Sequence, residues 1–265
     1  MKNKSKSKIR LTLMGACGRM GARILSLVEK DSRFQVMAGV EQPGSGYVGS
    51  FVAKGKAPVV GKVEEVLPKT DVVIDFTSPQ AILKTAAKVS KSRRALVIGT
   101  TGLTPAVQKK LRIFSRRIPI VFSPNMSMGM NMLFRLVQMA AEKLDQYDIE
   151  IIEAHHNQKK DSPSGTAVRL AEIATEASGR KQKDWVYGRK GIIGARKKKE
   201  VGVLAVRAGD IVGDHTVLLS HAGERLELVH RAHSRDTFAT GALEAAAWIA
   251  RRKPGLYNMF DVLKI

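Results

Sequence analysis

An apolar, β-prone run, Ile9–Met14, enters the glycine turn Gly15-Ala16-Cys17-Gly18-Arg19-Met20-Gly21 and continues into a helix-like segment reaching about residue 30. Glycines at such a turn let the backbone fold back tightly and approach a pyrophosphate, whose charge then sits against the free amides of a helix N-terminus. The spacing is G-x-x-G-x-x-G and not G-x-G-x-x-G, so the string alone is also compatible with a plain strand-to-helix turn. Its surroundings favour a nucleotide. A second strand candidate, Phe34–Val40, ends at Glu41, about 20 residues on, where an acid bonds the adenosine ribose.

The same alternation continues. Residues 72–76, Ala95–Ile98 and 118–122 are further apolar strand candidates, with helical patterns at 79–90 and 105–116 between them. Strand and helix alternating in this way predict a parallel sheet covered on both faces, and continuously apolar runs such as Val72-Val73-Ile74 fit strands buried on both sides. Loops that follow these strands, Asp75-Phe76-Thr77, Gly99-Thr100-Thr101-Gly102 and Ser123-Pro124-Asn125-Met126, would lie at the sheet edge where open α/β folds bind ligands.

Beyond residue 126 the pattern changes. Met128–Lys143 has the spacing of a long core helix; 149–154, 201–208, 217–220 and 225–233 read as strands, and 165–178 as a helix among them. These predict a separate α+β unit. Its strands alternate less cleanly than a one-sided sheet requires, which leaves a face to bury. The alanine-rich segment 236–250 is a terminal helix, and 181–199 a polar, basic, glycine-punctuated mobile loop.

Composition narrows the class. Among 265 residues there are 45 Lys and Arg against 24 Asp and Glu, a formal net charge of +21. The basic residues are scattered: Lys2, Lys4, Lys6 and Lys8, then Arg93 and Arg94, Arg116 and Arg117, residues 196–199 and 251–253. With 5% aromatics there is little material for base stacking. Solvated faces are therefore expected, and no nucleic-acid partner. No apolar run approaches the roughly 20 residues of a membrane span, residues 1–8 lack a secretory core, and the single Cys17 excludes an internal disulfide or cysteine-based zinc cluster. A cytoplasmic protein is expected.

The richest stretch for chemistry is Glu153 to Ala167, E-A-H-H-N-Q-K-K-D-S-P-S-G-T-A. Histidine supplies a proton near neutral pH, and strand alternation sends His155 and His156 to opposite faces, so they have separate roles. Lys159 is a fixed cation, and Ser164, Gly165 and Thr166 open a helix whose amides favour an anion. The loop suits a small dicarboxylate. A metal pair is the other reading of the two histidines; no third ligand is evident, although Glu153 and Asp161 are near, and no metal is expected.

Together these segments resemble the dihydrodipicolinate reductase (4-hydroxy-tetrahydrodipicolinate reductase) family over nearly the whole chain. The resemblance rests on G-A-C-G-R-M-G from Gly15, D-F-T-S-P from Asp75, V-I-G-T-T-G from Val97, the Glu153 stretch, and R-A-G-D-I-V-G-x-H-T from Arg207. It implies an α/β Rossmann-type dinucleotide-binding domain, residues 1–125 and 236–265, and a second α+β domain with a mixed sheet, residues 126–235. It implies His155 as proton donor and Lys159 as second catalytic residue, with His156, Gly165 and Thr166 binding the dicarboxylate and Ser164 beside them. Cofactor contacts would come from Gly15, Ala16, Cys17, Gly18, Arg19, Met20, Glu41, Gln42, Gly99, Thr100, Thr101, Ser123, Pro124, Asn125 and Met126.

Hydride from the nicotinamide to the dehydrated ring in diaminopimelate and lysine biosynthesis, and a homotetramer joined through the second domain's sheet, follow from the same resemblance. Some members carry arginine where this chain has uncharged Gln42, and Glu41 would repel a 2′-phosphate, so NADH is favoured over NADPH. Two other readings remain: a Rossmann-type amino-acid or aspartate-type dehydrogenase, and a basic nucleic-acid-binding module. The first leaves the His-His-x-x-Lys loop unexplained; salt-sensitive nucleic-acid binding would mark the second.

Overall fold

The computed structural model describes residues 7–265; Lys2, Lys4 and Lys6 of the basic N-terminal stretch lie outside the described residues. In chain order, β1 (Ile9–Met14), α1 (Arg19–Val28), β2 (Phe34–Val40), β3 (Phe51–Val52), β4 (Ala57–Val60) and β5 (Val72–Asp75) come first. They are followed by α2 (Pro79–Lys91), β6 (Ala95–Ile98), α3 (Pro105–Phe114), β7 (Pro119–Phe122), α4 (Met128–Lys143), β8 (Asp148–His155) and α5 (Gly165–Ala177). The remainder is β9 (Trp185–Val186), β10 (Val201–Arg207), β11 (Gly213–His221), β12 (Glu224–Ala232), α6 (Asp236–Ile249), β13 (Gly255–Tyr257) and α7 (Met259–Leu263). Two compact units result: residues up to Met128 with Arg235–Lys264, and Gly129–Ser234. Among the described residues no helix is long and apolar enough to cross a membrane.

The first unit is an eight-stranded sheet in the order β13-β7-β6-β5-β1-β2-β4-β3, parallel except for the β3–β4 pair. All four residues of β5 and of β6 are buried, as continuous apolar strands covered on both faces require. One face packs Leu11, Leu13, Val72 and Ile74 against Ile24 of α1 and the small side chains Ala239, Ala242, Ala245 and Ala246 of α6. Val73, Leu96 and Ile98 face the other way, onto Ile82 and Val89 of α2 and Leu111 of α3. The chain leaves β1 toward β2 on one side and returns to β5 on the other, which makes the carboxyl end of β1 the switch point of the sheet.

Three of the eight strands were not expected. β3 and β4 lie in the glycine-rich stretch after Glu41, and β13 is three residues long and follows Pro254. Strands this short carry too few residues for a period-two pattern to show; they form because neighbouring strands supply the ladder.

The second unit is a mixed sheet in the order β12-β11-β8-β10-β9, with β8–β10 and β10–β9 parallel and the other pairs antiparallel. Burial alternates strictly along β8: Ile149, Ile151, Glu153 and His155 are buried and the residues between are not. β11 does the same with Gly213, His215, Val217 and Leu219, a cleaner alternation than the sequence suggested. α5 covers this face of β8 and β10 through Leu170, Ala171 and Ala174. α4 buries Met130, Leu133, Phe134, Val137 and Ala141 along one stripe, whereas Met132, Leu136 and Met139 are exposed.

The basic loop expected to be solvated is anchored at two points. Arg189 holds both oxygens of Glu150, and Arg196 bonds Asp148, Glu150 and the carbonyls of Ile149 and Glu200. Lys197, Lys198 and Lys199 are exposed as expected.

Candidate active site

In the first unit, Gly15 turns the chain at the end of β1 with φ of +69°, a backbone region that side chains disfavour, and its amide donates to the Val40 carbonyl at 2.8 Å. A Cβ on Gly21 would stand 2.3 Å from the Gly15 carbonyl oxygen, so α1 can start this close to the strand only with glycine there. The first i→i−4 bond of α1 runs from Ala22 to Gly18. The amides of Arg19, Met20 and Gly21 therefore precede the helix ladder and point out of its N-terminus. No acidic side chain occupies that first turn. An anionic phosphate fits this end, and the exposed Arg19 adds a cation.

Glu41 accepts the Cys17 amide through Oε1 at 2.7 Å, tying the end of β2 to the glycine turn. Burial raises the Cys17 thiol above its usual range and the Glu41 carboxylate adds to the shift, so the thiol stays neutral. Gln42 is exposed, Ala16 fully buried, and Met20 half-buried against the core.

The later loops are organised from within. Asp75 Oδ1 accepts from the Thr77 amide and hydroxyl and from the Thr100 hydroxyl. Burial pushes the Asp75 carboxyl above the usual carboxylate range against those hydrogen bonds. Thr100 is buried, while Thr101 and Pro124 are exposed. Ser123 donates to the Asn125 carbonyl at 2.7 Å, Asn125 Oδ1 accepts the Ser127 amide, and the Met126 side chain lies in the core. Of the expected cofactor residues, then, Ala16, Met20, Thr100, Ser123 and Met126 shape loops whose outward surface belongs to Gly18, Arg19, Thr101 and Pro124, with Glu41 and Asn125 half-buried beside them.

In the second unit, β8 ends at His155, and His156 stands just outside it, half-buried. Glu153 and His155 share the covered face. The His155 Nδ1 lies 2.5 Å from Glu153 Oε2, and because a carboxylate only accepts, Nδ1 carries the hydrogen. Arg207 grips both oxygens of Glu153 at 3.0 and 2.9 Å, and the Ser164 amide donates to Oε1 at 3.0 Å. Burial alone would raise the Glu153 carboxyl, but the His155, Arg207 and Ser164 hydrogen bonds outweigh it and hold the group down at about 2.

Ser164 also caps α5, its hydroxyl accepting the Ala167 amide at 3.2 Å, and that hydroxyl lies 3.4 Å from His215 Nε2. Expected beside the substrate, Ser164 is buried with both polar groups engaged in the protein. Gly165 is exposed with open space where a Cβ would stand, Thr166 is half-buried, and no acidic residue sits in the first turn of α5. This helix end suits an anion as the α1 end does. Lys159 is half-buried and pairs with Asp161 at 2.8 Å. Among the described residues, no three His, Cys, Asp or Glu side chains converge as a metal cluster requires.

In the sequence His215 stands out only as part of the R-A-G-D-I-V-G-x-H-T segment. It is buried, edge-on to the His155 ring at 5.3 Å between centroids, and its Nδ1 has no hydrogen-bond partner among the described residues. Burial first, then the positive charge of neighbouring His155, depresses its pKa to about 3, with Glu153 opposing. A histidine that binds protons less readily folded than unfolded stabilises the fold above its unfolded value near 6.5 and loses that contribution as the pH falls toward 3. Between pH 6.5 and 4.5 the loss should reach about 2–3 kcal/mol, while Glu153 contributes nothing until the pH drops below its unfolded value. Urea unfolding at several pH values should show that slope, and His215→Asn should flatten most of it; an unchanged slope in the variant would assign the acid lability elsewhere.

The Arg207–Glu153 pair was not expected from the sequence. The signal was present, since Glu153 and His155 are two apart on a strand, but the partner of Glu153 becomes visible only from the β8–β10 register, where His155 lies opposite Arg207.

Comparison with known proteins shows the family. Residues 9–126 match the family model described as dihydrodipicolinate reductase, N-terminus, and residues 129–263 the one described as dihydrodipicolinate reductase, C-terminus. The 4-hydroxy-tetrahydrodipicolinate reductase of Syntrophus aciditrophicus is 46% identical, the alignment covering 96% of this chain and 98% of that protein. The enzyme of the same name from Aquifex aeolicus is 48% identical with the same coverage. Among solved structures, a dipicolinate-bound dihydrodipicolinate reductase from Paenisporosarcina sp. TG-14 superposes with a TM-score of 0.80 at 24% identity, covering 96% of this chain and 99% of that one, which shows the shared fold.

Proposed function

The chain belongs to the dihydrodipicolinate reductase family, and from that premise we infer that it reduces the ring formed on dehydration of 4-hydroxy-tetrahydrodipicolinate to tetrahydrodipicolinate, in the cytoplasm, for diaminopimelate and lysine biosynthesis. A pyridine dinucleotide on the first unit supplies the hydride. One observation carries the chemical part: a single loop holds the carboxylate-bound His155, the cation Lys159 and the open N-terminus of α5.

His155 gives its Nε2 proton to the ring carbon left electron-rich when hydride adds at C4, and is then reprotonated from solvent. Lys159 and the Gly165 and Thr166 amides hold a carboxylate and fix the ring's orientation, with His156 a further contact to the dicarboxylate. The outward amides of the glycine turn hold the pyrophosphate, Glu41 the ribose, and the Thr101 and Asn125 loops the nicotinamide end. Absorbance loss of NADH with the freshly formed product of dihydrodipicolinate synthase tests the whole reading. No oxidation above the substrate-free rate would refute it.

NADH is the better cofactor on this reading. Glu41 stands where a 2′-phosphate would be repelled, and exposed Gln42 brings no compensating charge. Arg10, which could have done so, is held by Asp71 through Nε and Nη2. Gln42→Arg should improve NADPH use selectively, by roughly 1.5–3 kcal/mol at most for a charge-assisted bond. Steady-state kinetics with both cofactors decide it, and a strong wild-type preference for NADPH would overturn it.

The second unit carries the contacts of a homotetramer. The face of its sheet opposite α5 presents Ile152, Leu204, Leu218, Val206 and Val229, the last two each 44% exposed. An apolar sheet face of this kind needs a cover. Sedimentation at micromolar concentration should give a species four chains in mass; a monomer would exclude this assembly.

A further inference from the structure

The R-A-G-D-I-V-G-x-H-T segment binds neither cofactor nor substrate in the reading above, yet it walls His155 on two sides. Arg207 ends β10 opposite His155, and β11 brings His215 opposite Glu153. The Glu153 carboxylate between them has no solvent exposure, and each of its oxygens accepts two hydrogen bonds: Oε1 from Arg207 Nη2 and the Ser164 amide, Oε2 from Arg207 Nη1 and His155 Nδ1. A carboxylate so saturated has one orientation, and it transmits that orientation to the imidazole. On the far side of the ring, a Cβ at Gly213 would stand 3.0 Å from His155 Nε2. Any larger residue there would crowd Nε2.

We propose that Glu153 and Arg207 are positioning residues for proton transfer: Arg207 fixes the Glu153 carboxylate, Glu153 holds the Nδ1–H of His155, and Nε2 is thereby kept as the proton-delivering nitrogen beside Gly213. A flipped ring would present a carbon where Nε2 now stands, and the other neutral tautomer would set a bare Nδ1 lone pair against the Glu153 carboxylate. The carboxylate also lies directly against the ring that carries the transferable proton, so its charge and the ring's are paired. Fully buried Glu153 would carry an uncompensated charge without Arg207, which ties the two into one device. This rests on the assignment of His155 as proton donor.

The test is Glu153→Gln, with Glu153→Asp beside it and both repeated in a His155→Gln background. Charged and titratable groups beside His155 are Glu153 on β8, Arg207 opposite it on β10 and His215 on β11, with the Lys159–Asp161 pair on the following loop; of these only Glu153 is altered. Positioning predicts that Glu153→Gln lowers kcat by about 10–100-fold with KM for both substrates within about threefold. The pH above which kcat declines should move acidward by about one unit or more. Glu153→Asp keeps the charge but withdraws it by one methylene, so kcat should fall by about tenfold with the decline within half a unit of wild type. Where His155 is already gone, neither change should cost more than about threefold further.

Additive losses in the double variants, or a kcat loss in Glu153→Gln with the pH profile unmoved, would make Glu153 a merely structural residue. If Glu153→Gln does not fold, Glu153→Asp and its double variant decide, and wild-type kcat in Glu153→Asp sinks the proposal. An inactive wild-type enzyme would instead be the failure of the assigned reaction.

Discussion

Replacing His155 by glutamine is expected to lower kcat by about 10²–10⁴-fold while KM for the ring substrate changes far less, the signature of a proton donor acting in the transition state. The expectation rests on where the ring is held. His155 is buried at the end of β8, its Nδ1 committed to Glu153, and only Nε2 is left to act on a ligand. Glutamine keeps polarity and comparable size but has no transferable proton near neutral pH. His156, half-buried just beyond the strand, is the internal control. Its loss should raise KM more than it lowers kcat. NADH affinity, read by fluorescence titration, should be unchanged in both variants, since neither residue belongs to the unit bearing the glycine turn. A His155→Gln enzyme with near-normal kcat, beside a His156 variant that has lost it, would reverse the two assignments.

Much of the fold was legible because most of its elements are long enough to carry a period. β1, β2, β6 and α4 lie where the apolar runs and helical spacing put them, and the change from alternating to segregated elements marks the change from a parallel to a mixed sheet. What escaped was short or non-local. β3, β4 and β13 have two to four residues each and owe their form to the strands beside them. The basic loop looked solvated because its charges are dense in sequence; Arg189 and Arg196 find Glu150 from 39 and 46 residues away.

The candidate site divides in the same way. His155, Lys159 and the start of α5 fall within one short stretch, so their association needed no tertiary information. Glu153 was visible only as a neighbour, and its carboxylate is held by Arg207, 54 positions on and reached through strand register. Ser164 shows the converse: a hydroxyl in a promising loop is as useful for capping a helix as for meeting a ligand, and the structure uses it as the cap.

Lys159 is the second position where a large effect is expected, and of a different kind. Its ammonium pairs with Asp161 at 2.8 Å, the lysine side chain 20% exposed and the aspartate 59%. Burial would raise the Asp161 carboxyl, but the Lys159 hydrogen bond holds it below the usual range, so the aspartate is ionised at neutral pH. An exposed partner of this sort contributes little to stability and is readily exchanged for a substrate carboxylate, which the α5 amides also favour. Lys159→Ala should therefore unfold near the wild-type temperature while losing about 10²–10³ in kcat/KM, or roughly 3–4 kcal/mol, since it removes a charge-assisted bond and leaves a carboxylate partly unpaired.

Both parameters should suffer: KM because the clamp acts in the bound substrate, kcat because the ring is no longer held for proton delivery from His155. Asp161→Asn separates the two partners of the pair. If Asp161 only parks the ammonium, its loss should leave kcat/KM within about threefold. An Asp161→Asn enzyme as impaired as Lys159→Ala would mean that the ion pair itself, and not the lysine's charge toward substrate, is what the reaction needs.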